Sequence, residues 1–136
     1  MPVPPLPADL VELLSRPLPA VMATLAADGR PVTVATWYLL EPDGTVLLNL
    51  DAGRARLKHL RRDPRVSLTA LAEGDWYTHV SVQGRVVSIT DDVDLADIDR
   101  LSRHYLGQDY GTRDRARVSA RVEIEKWHGW GAAAQD

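Results

Sequence analysis

Residues 117–125 read Arg-Val-Ser-Ala-Arg-Val-Glu-Ile-Glu, with Val118, Ala120, Val122 and Ile124 alternating against polar and charged neighbours. A period of two sends successive side chains to opposite faces, so this segment specifies a strand with one dry face and one wet face. Such a strand does not stand alone, because its backbone donors and acceptors need a sheet around them. The rest of the chain supplies further strands in short runs set off by turns. Residues 20–26 are apolar and close at Ala27-Asp28-Gly29-Arg30, where Asp-Gly signals a tight hairpin. Residues 31–40 return, rich in β-branched and aromatic side chains, and a second turn, Glu41-Pro42-Asp43-Gly44, leads into residues 45–50. Residues 65–72 and 76–90 add two more strands, joined through Glu73-Gly74-Asp75. In the second of these the apolar phase runs Val80, Val82, Val86 and then shifts to Val87 and Ile89. That shift predicts a β-bulge or sharp bend soon after Gly84.

Three helices punctuate the strands. Residues 7–15 place Leu10, Leu13 and Leu14 at helical spacing, with Pro7 at the start and Pro17 and Pro19 beyond the end. A basic stretch opens after Asp51-Ala52-Gly53 and closes before Pro64. Residues 91–106 carry Val93, Leu95, Ile98, Leu101 and Leu106 as apolar positions, with an acidic first turn that suits the helix dipole. Residues 107–114 read as a polar loop, and residues 126–131 as a tail after the final strand. The order is α-β-β-β-α-β-β-α-β. Six mostly antiparallel strands point to a mainly β, α+β chain closing into a small barrel, not a doubly wound sheet.

At 136 residues a single domain, 1–136, is expected, with 1–18 as an arm and short helix and 54–62 as the basic helix. Apolar residues make up 45% and charged residues 26%, a balance that supports a folded core. No run approaches the ~20 apolar residues of a membrane span. The first residues lack the basic start of a signal peptide, so a cytoplasmic protein without a membrane partner is expected. Cysteine is absent, which removes disulfides, thiolate nucleophiles and Cys-ligated metals.

The net charge of −3 conceals a sharp division. Between Arg54 and Arg65 six basic residues face one acid, a local charge of +5, while the other 124 residues carry −8. Such a run can be a solvated face. Here five of the six are Arg, and the stretch starts directly after a tight turn. Free backbone N–H groups at a helix start, flanked by guanidiniums, make an anion site. A nucleic-acid surface would need basic charge spread beyond one helix with stacking aromatics beside it, so no nucleic-acid partner is expected. The aromatics come in pairs, Trp37-Tyr38, Trp76-Tyr77 and Trp127 with Trp130, and beside a phosphate site they suit a flat ligand. His59, His79, His104 and His128 show no metal-ligand spacing, and no nucleophile or nucleotide-loop motif occurs. If this chain is an enzyme, a bound cofactor carries the hard chemistry.

Residues 24–32, residues 46–50 and the segment Arg54-Ala-Arg-Leu-Lys-His-Leu-Arg-Arg-Asp-Pro-Arg65 carry a family likeness, as does the tail Trp127-His-Gly-Trp130. Over about residues 8 to 130 the chain resembles the pyridoxamine 5′-phosphate oxidase-like split β-barrel superfamily. Within it, the chain looks like the branch that uses the deazaflavin coenzyme F420 in place of FMN. The resemblance implies a six-stranded antiparallel split barrel, the FMN-binding split barrel, with short flanking helices. It also implies a homodimer with cofactor sites in the grooves between subunits. By resemblance Arg54, Arg56 and Lys58 hold the cofactor's phosphate with Asn49 assisting. Val34, Ala35, Thr36 and Trp37 would lie along the ring system, and Trp76 and Tyr77 would reach over from the partner. The activity implied is that of an F420-dependent oxidoreductase passing hydride to a small conjugated organic acceptor. Tyr38 and His79 are the side chains considered as proton donors, with no catalytic residue assigned. An FMN flavoprotein and a non-enzymatic cofactor-binding protein are the alternatives. The family's namesake oxidases carry further C-terminal substrate-binding residues, so vitamin B6 oxidation is not expected of a chain ending at Asp136.

Overall fold

The computed structural model describes residues 1–135; Asp136, the last residue of the expected domain, lies outside the described residues. The elements run α1 (Ala8–Leu14), β1 (Ala20–Leu25), β2 (Pro31–Thr36), β3 (Leu39–Leu40), β4 (Val46–Asp51), α2 (Ala55–Arg62), β5 (Arg65–Ala72), β6 (Asp75–Asp91), α3 (Ala96–Leu106) and β7 (Arg117–Trp130). A short 3₁₀ turn, Gly131–Ala133, follows. The strands form one antiparallel sheet in the order β2-β1-β5-β6-β7-β4-β3. Val46 and Leu48 of β4 share an internal space with Val66 and Leu68 of β5. Two strands, β6 and β7, separate β4 from β5 in the sheet. Contact across that distance requires the sheet to wrap around its own core. The edge strands β2 and β3 are not paired with one another, so the barrel stays split.

The alternation of residues 117–125 does what its period demands: Val118, Ala120, Val122 and Ile124 are all buried. The β6–β7 ladder shifts register between Gln83 and Gly84 and again between Val86 and Ser88. The second shift leaves Val87 out of the pairing and 51% exposed, which is the phase change seen in the sequence. At the first, a Cβ on Gly84 would stand 2.0 Å from the carbonyl oxygen of Glu123, so only glycine lets the two strands approach.

Three boundaries depart from the sequence expectation. The second strand does not run from 31 to 40. It breaks after Thr36, and Leu39–Leu40 leave β1 to pair with β4, so the strands number seven and not six. Side-chain packing causes the break: Tyr38 turns into the core and is fully buried, while Trp37 stacks on Tyr105 of α3 with ring centroids 5.3 Å apart. The helix expected from residue 91 starts at Ala96, because Asp91 remains in β6 and the buried Asp92 carboxylate accepts the N–H groups of Asp97 and Ile98. Val93, expected on that helix's apolar face, is 83% exposed. Finally, residues 126–130 are no tail but the end of β7, paired along β6 as far as His79–Trp130.

The outer face of the β4–β7 ladder receives α3, where Leu47, Ile98 and Leu101 form a second small core with Trp37, Leu39, Leu95 and Tyr110. Helix α1 buries Leu10 and Leu14 against the main core. Among the described residues no helix is long and apolar enough to cross a membrane.

Candidate functional site

The chain leaves β4 through a tight corner. Gly53 N–H donates to Asp51 Oδ1 at 2.9 Å, Arg54 N–H to Asp51 O at 3.0 Å, and Ala52 N–H to Ala116 O at 3.0 Å. Helix α2 then begins with Arg54 as its N-cap, a residue that offers no side-chain acceptor. No acid stands in the first turn, and among the described residues no acceptor meets the N–H groups of Ala55 or Arg56. A helix start is the positive end of the dipole, so guanidiniums placed there oppose it. Buried Leu57 and Leu60 nonetheless seat the helix, each contributing about 2 kcal/mol. His59 Nδ1 lies 2.8 Å from Thr24 Oγ1, and Arg62 Nη2 donates to Leu25 O at 3.1 Å, which ties α2 to β1.

The six basic residues divide by what they touch. Arg65 is spent on Asp63, whose carboxyl it holds at about 2, and Arg62 on the Leu25 carbonyl. Among the described residues Arg54, Arg56, Lys58 and Arg61 form no ion pair. Arg56 is half-buried, with Nη1 3.7 Å from Met22 Sδ. Burial lowers its pKa, and the guanidiniums of Arg54 and Arg117 lower it further. Three cations thus stand in one another's field with no carboxylate paired to them.

The remaining expected site residues fall into three groups. Val34 is partnered with Met22 across the β1–β2 ladder, which sets it beside the sulfur that Arg56 approaches. Thr36 is half-buried and Ala35 exposed on the opposite side of the same strand. Trp37 stacks on Tyr105 and meets Tyr110 edge-on at 6.3 Å. Asn49 is on hand but occupied: it is buried, its Nδ2 donates to Asp92 Oδ2 and Ser119 Oγ at 3.1 Å each, and its Oδ1 accepts from Arg117 Nε at 2.7 Å. Trp76 and Tyr77, 72% and 58% exposed, lie beyond the far end of β5 from α2. Among the described residues neither forms a side-chain hydrogen bond or ring contact with α2; Trp76 and Tyr77 meet each other edge-on at 6.2 Å.

Of the two side chains considered as proton donors, Tyr38 is closed inside the core and His79 belongs to the β5–β6 hairpin. Burial pushes the Tyr38 hydroxyl far above its ordinary range, and its one hydrogen bond, to Arg16 O, is long at 3.5 Å. His79 sits beside the Trp76-Tyr77 hairpin, stacked on Trp130 at 6.2 Å with Nδ1 2.9 Å from Tyr77 O. Two residues absent from the sequence expectation are present instead. Arg117 lies over the Tyr110 ring at 4.9 Å, and Tyr110 in turn touches Trp37. Arg117 occupies a polar position of an alternating strand and Tyr110 a loop, so no local pattern marks either. A cavity of about 950 Å³ lies elsewhere, walled by Pro4, Leu6, Leu40, Glu41 and Glu123. Its carboxylates make it the wrong electrostatic match for a phosphate.

Residues 6–131 match the family model described as pyridoxamine 5′-phosphate oxidase. No curated protein sequence matches the chain. Among solved structures it is similar to an F420 reductase, with a TM-score of 0.82 and 23% identity over 90% of this chain and 98% of that one. It is also similar to a conserved hypothetical protein of Mycobacterium tuberculosis, at TM-score 0.74 and 24% identity over 94% and 86% of the two chains. The General Stress Protein 26 of Bacillus anthracis str. Sterne aligns at TM-score 0.65 and 14% identity, over 88% and 89%. At these identities the likeness is one of fold: a mainly β split barrel.

Proposed function

The chain belongs to the pyridoxamine 5′-phosphate oxidase family, and we propose that it is an F420-dependent oxidoreductase. The observation that carries this reading is the start of α2, where open N–H groups meet Arg54 and Arg56 with no acid paired to either. A phosphate fits that gap in charge and in hydrogen-bonding capacity, since guanidinium forks and helix N–H groups both donate to its oxygens. Arg54, Arg56 and Lys58 hold the phosphate. Val34 and Thr36 on one face of edge strand β2, with the backbone at Ala35 between them and Trp37 beyond, lie along the ring system.

The chemistry a reduced deazaflavin would supply at this site is a hydride for a small conjugated organic acceptor. The protein binds, orients and excludes water. A second copy of the chain brings Trp76 and Tyr77 over the groove, which makes the working unit a homodimer. Tyr38 takes no part, because its hydroxyl lies inside the core. The fold likeness to an F420 reductase supports F420 over FMN.

The test is a fluorescence titration of the purified protein with F420 and FMN side by side. F420 binding with weak or no FMN binding supports the reading. Tight FMN binding, with a yellow protein on purification, replaces F420 by FMN, and binding of neither removes the cofactor assignment.

A further inference from the structure

The family resemblance sets Asn49 against the phosphate, yet its amide is spent inside the protein. Nδ2 serves Asp92 and Ser119, and Oδ1 serves Arg117. We propose that Arg117 is the third guanidinium of the anion site at α2, beside Arg54 and Arg56, and that Asn49 is its positioning residue and makes no contact with the ligand. This rests on the reading above, in which α2 holds a phosphate.

Register brings Arg117 there. In the β4–β7 ladder it lies directly across from Asp51, the residue whose carbonyl oxygen accepts the Arg54 N–H at the corner. The strand carrying Arg117 is thus hydrogen-bonded to the turn that launches α2, although 63 positions of sequence separate the two arginines. Asn49 then aims the side chain. It accepts from Nε at 2.7 Å and, through its backbone oxygen, from Nη2 at 3.3 Å, while the Tyr110 ring lies beneath the guanidinium and its hydroxyl accepts from Nη1 at 3.4 Å. A guanidinium carries five N–H donors, so two remain for a ligand.

The charge balance points the same way. Asp51 faces Arg117 across the ladder, but its carboxylate is paired with Arg115 and accepts the Gly53 N–H. Among the described residues no acid pairs with Arg54, Arg56 or Arg117. Gathering uncompensated cations costs stability unless an anion joins them. Three guanidiniums and two open N–H groups match a phosphate group, whether it belongs to a cofactor or is free in solution.

The test compares ligands with and without the phosphate: F420 against its phosphate-free riboflavin-like analogue, FMN against riboflavin, and inorganic phosphate as competitor. Each is titrated into wild type, Arg117→Gln, Arg117→Lys, Asn49→Ala and, as control, Arg61→Gln, with thermal melts beside them. Arg117→Gln is expected to weaken the phosphorylated ligand about tenfold or more, from loss of a charge-assisted bond. It should flatten the salt dependence and leave the phosphate-free ligand unchanged. Arg117→Lys keeps the charge but not the fork and should fall between. Asn49→Ala should follow Arg117→Gln in direction, and Arg61→Gln should match wild type.

A wild type with no preference for phosphorylated ligands overturns the phosphate reading itself. A wild type that has the preference, with Arg117→Gln retaining it in full, overturns only the role of Arg117. Loss in Arg117→Gln without loss in Asn49→Ala overturns the positioning role of Asn49. Competition by inorganic phosphate at the same strength as the cofactor would mark a free-phosphate site instead of a cofactor clamp.

Discussion

Arg56 shows how one residue can be kept at some cost to the fold. Its guanidinium is half-buried, it stands in the field of Arg54 and Arg117, and among the described residues its side-chain partner is the Met22 thioether. Burial and like charge both work against it, so it contributes little to the stability of the ligand-free chain. Arg56→Gln is expected to leave the melting temperature unchanged or raise it, while weakening phosphorylated cofactor about tenfold or more. Calorimetric melts paired with a binding titration check both halves, and a large fall in melting temperature would mean that Arg56 is structural. Asn49 makes the complementary point. The family resemblance set it against the phosphate, but its amide is consumed by Asp92, Ser119 and Arg117. No reading of one residue type reveals how many of its hydrogen bonds are already made.

Among the elements, β6 and β7 show why some boundaries were legible and others were not. The shift of apolar phase after Gly84 is a local signal, and it corresponds to two register breaks in the ladder. The strain that would follow from any side chain at Gly84 is set by the backbone of the other strand. Gly84→Ala forces a Cβ to within 2.0 Å of the Glu123 oxygen and is expected to destabilise the protein by about 1–3 kcal/mol, read as a lower urea midpoint at constant slope. The break between β2 and β3 had no local signal. Residues 32–40 are rich in β-branched and aromatic side chains with no turn signal among them, and what divides them is Trp37 finding Tyr105 and Tyr38 finding the core. The start of α3 was displaced for a related reason: a buried carboxylate at Asp92 caps the helix from outside it, after β6 has used Asp91.

At the scale of the whole molecule, arginine–carboxylate pairs clip the loops to the barrel. Asp51 is held at about 2 by Arg115, and Asp99 is lowered by Arg113. Burial pushes Glu41 up, but bonds from Arg100 and Arg121 outweigh it and leave it lowered. A carboxyl whose folded value lies below its unfolded one stabilises the fold above the unfolded value and loses that contribution as pH falls. Stability should therefore be flat near neutrality and decline from about pH 4 towards pH 2. Asp51→Asn should start lower at neutral pH and decline less steeply, which melts across that range will show. Assembly is the second property of this scale. Trp76 and Tyr77 are exposed on the single chain and lie beyond the far end of β5 from α2. If a second copy carries them over the cofactor, the protein sediments as a dimer, and Trp76→Ala with Tyr77→Ala weakens cofactor binding with no loss in melting temperature. A monomer by sedimentation, or unaltered binding, removes them from the site. The sequence alone settled the strand-rich class, the bulge after Gly84 and the basic helix after the Asp51–Gly53 corner, because alternation, turns and charge runs are properties of neighbouring residues. Only the tertiary structure decided that β4 pairs with β7. That register sets Arg117 across from Asp51 at the corner that launches α2, spends Asn49 inside the protein and brings Tyr110 under Arg117, because contacts between distant segments depend on which strands meet.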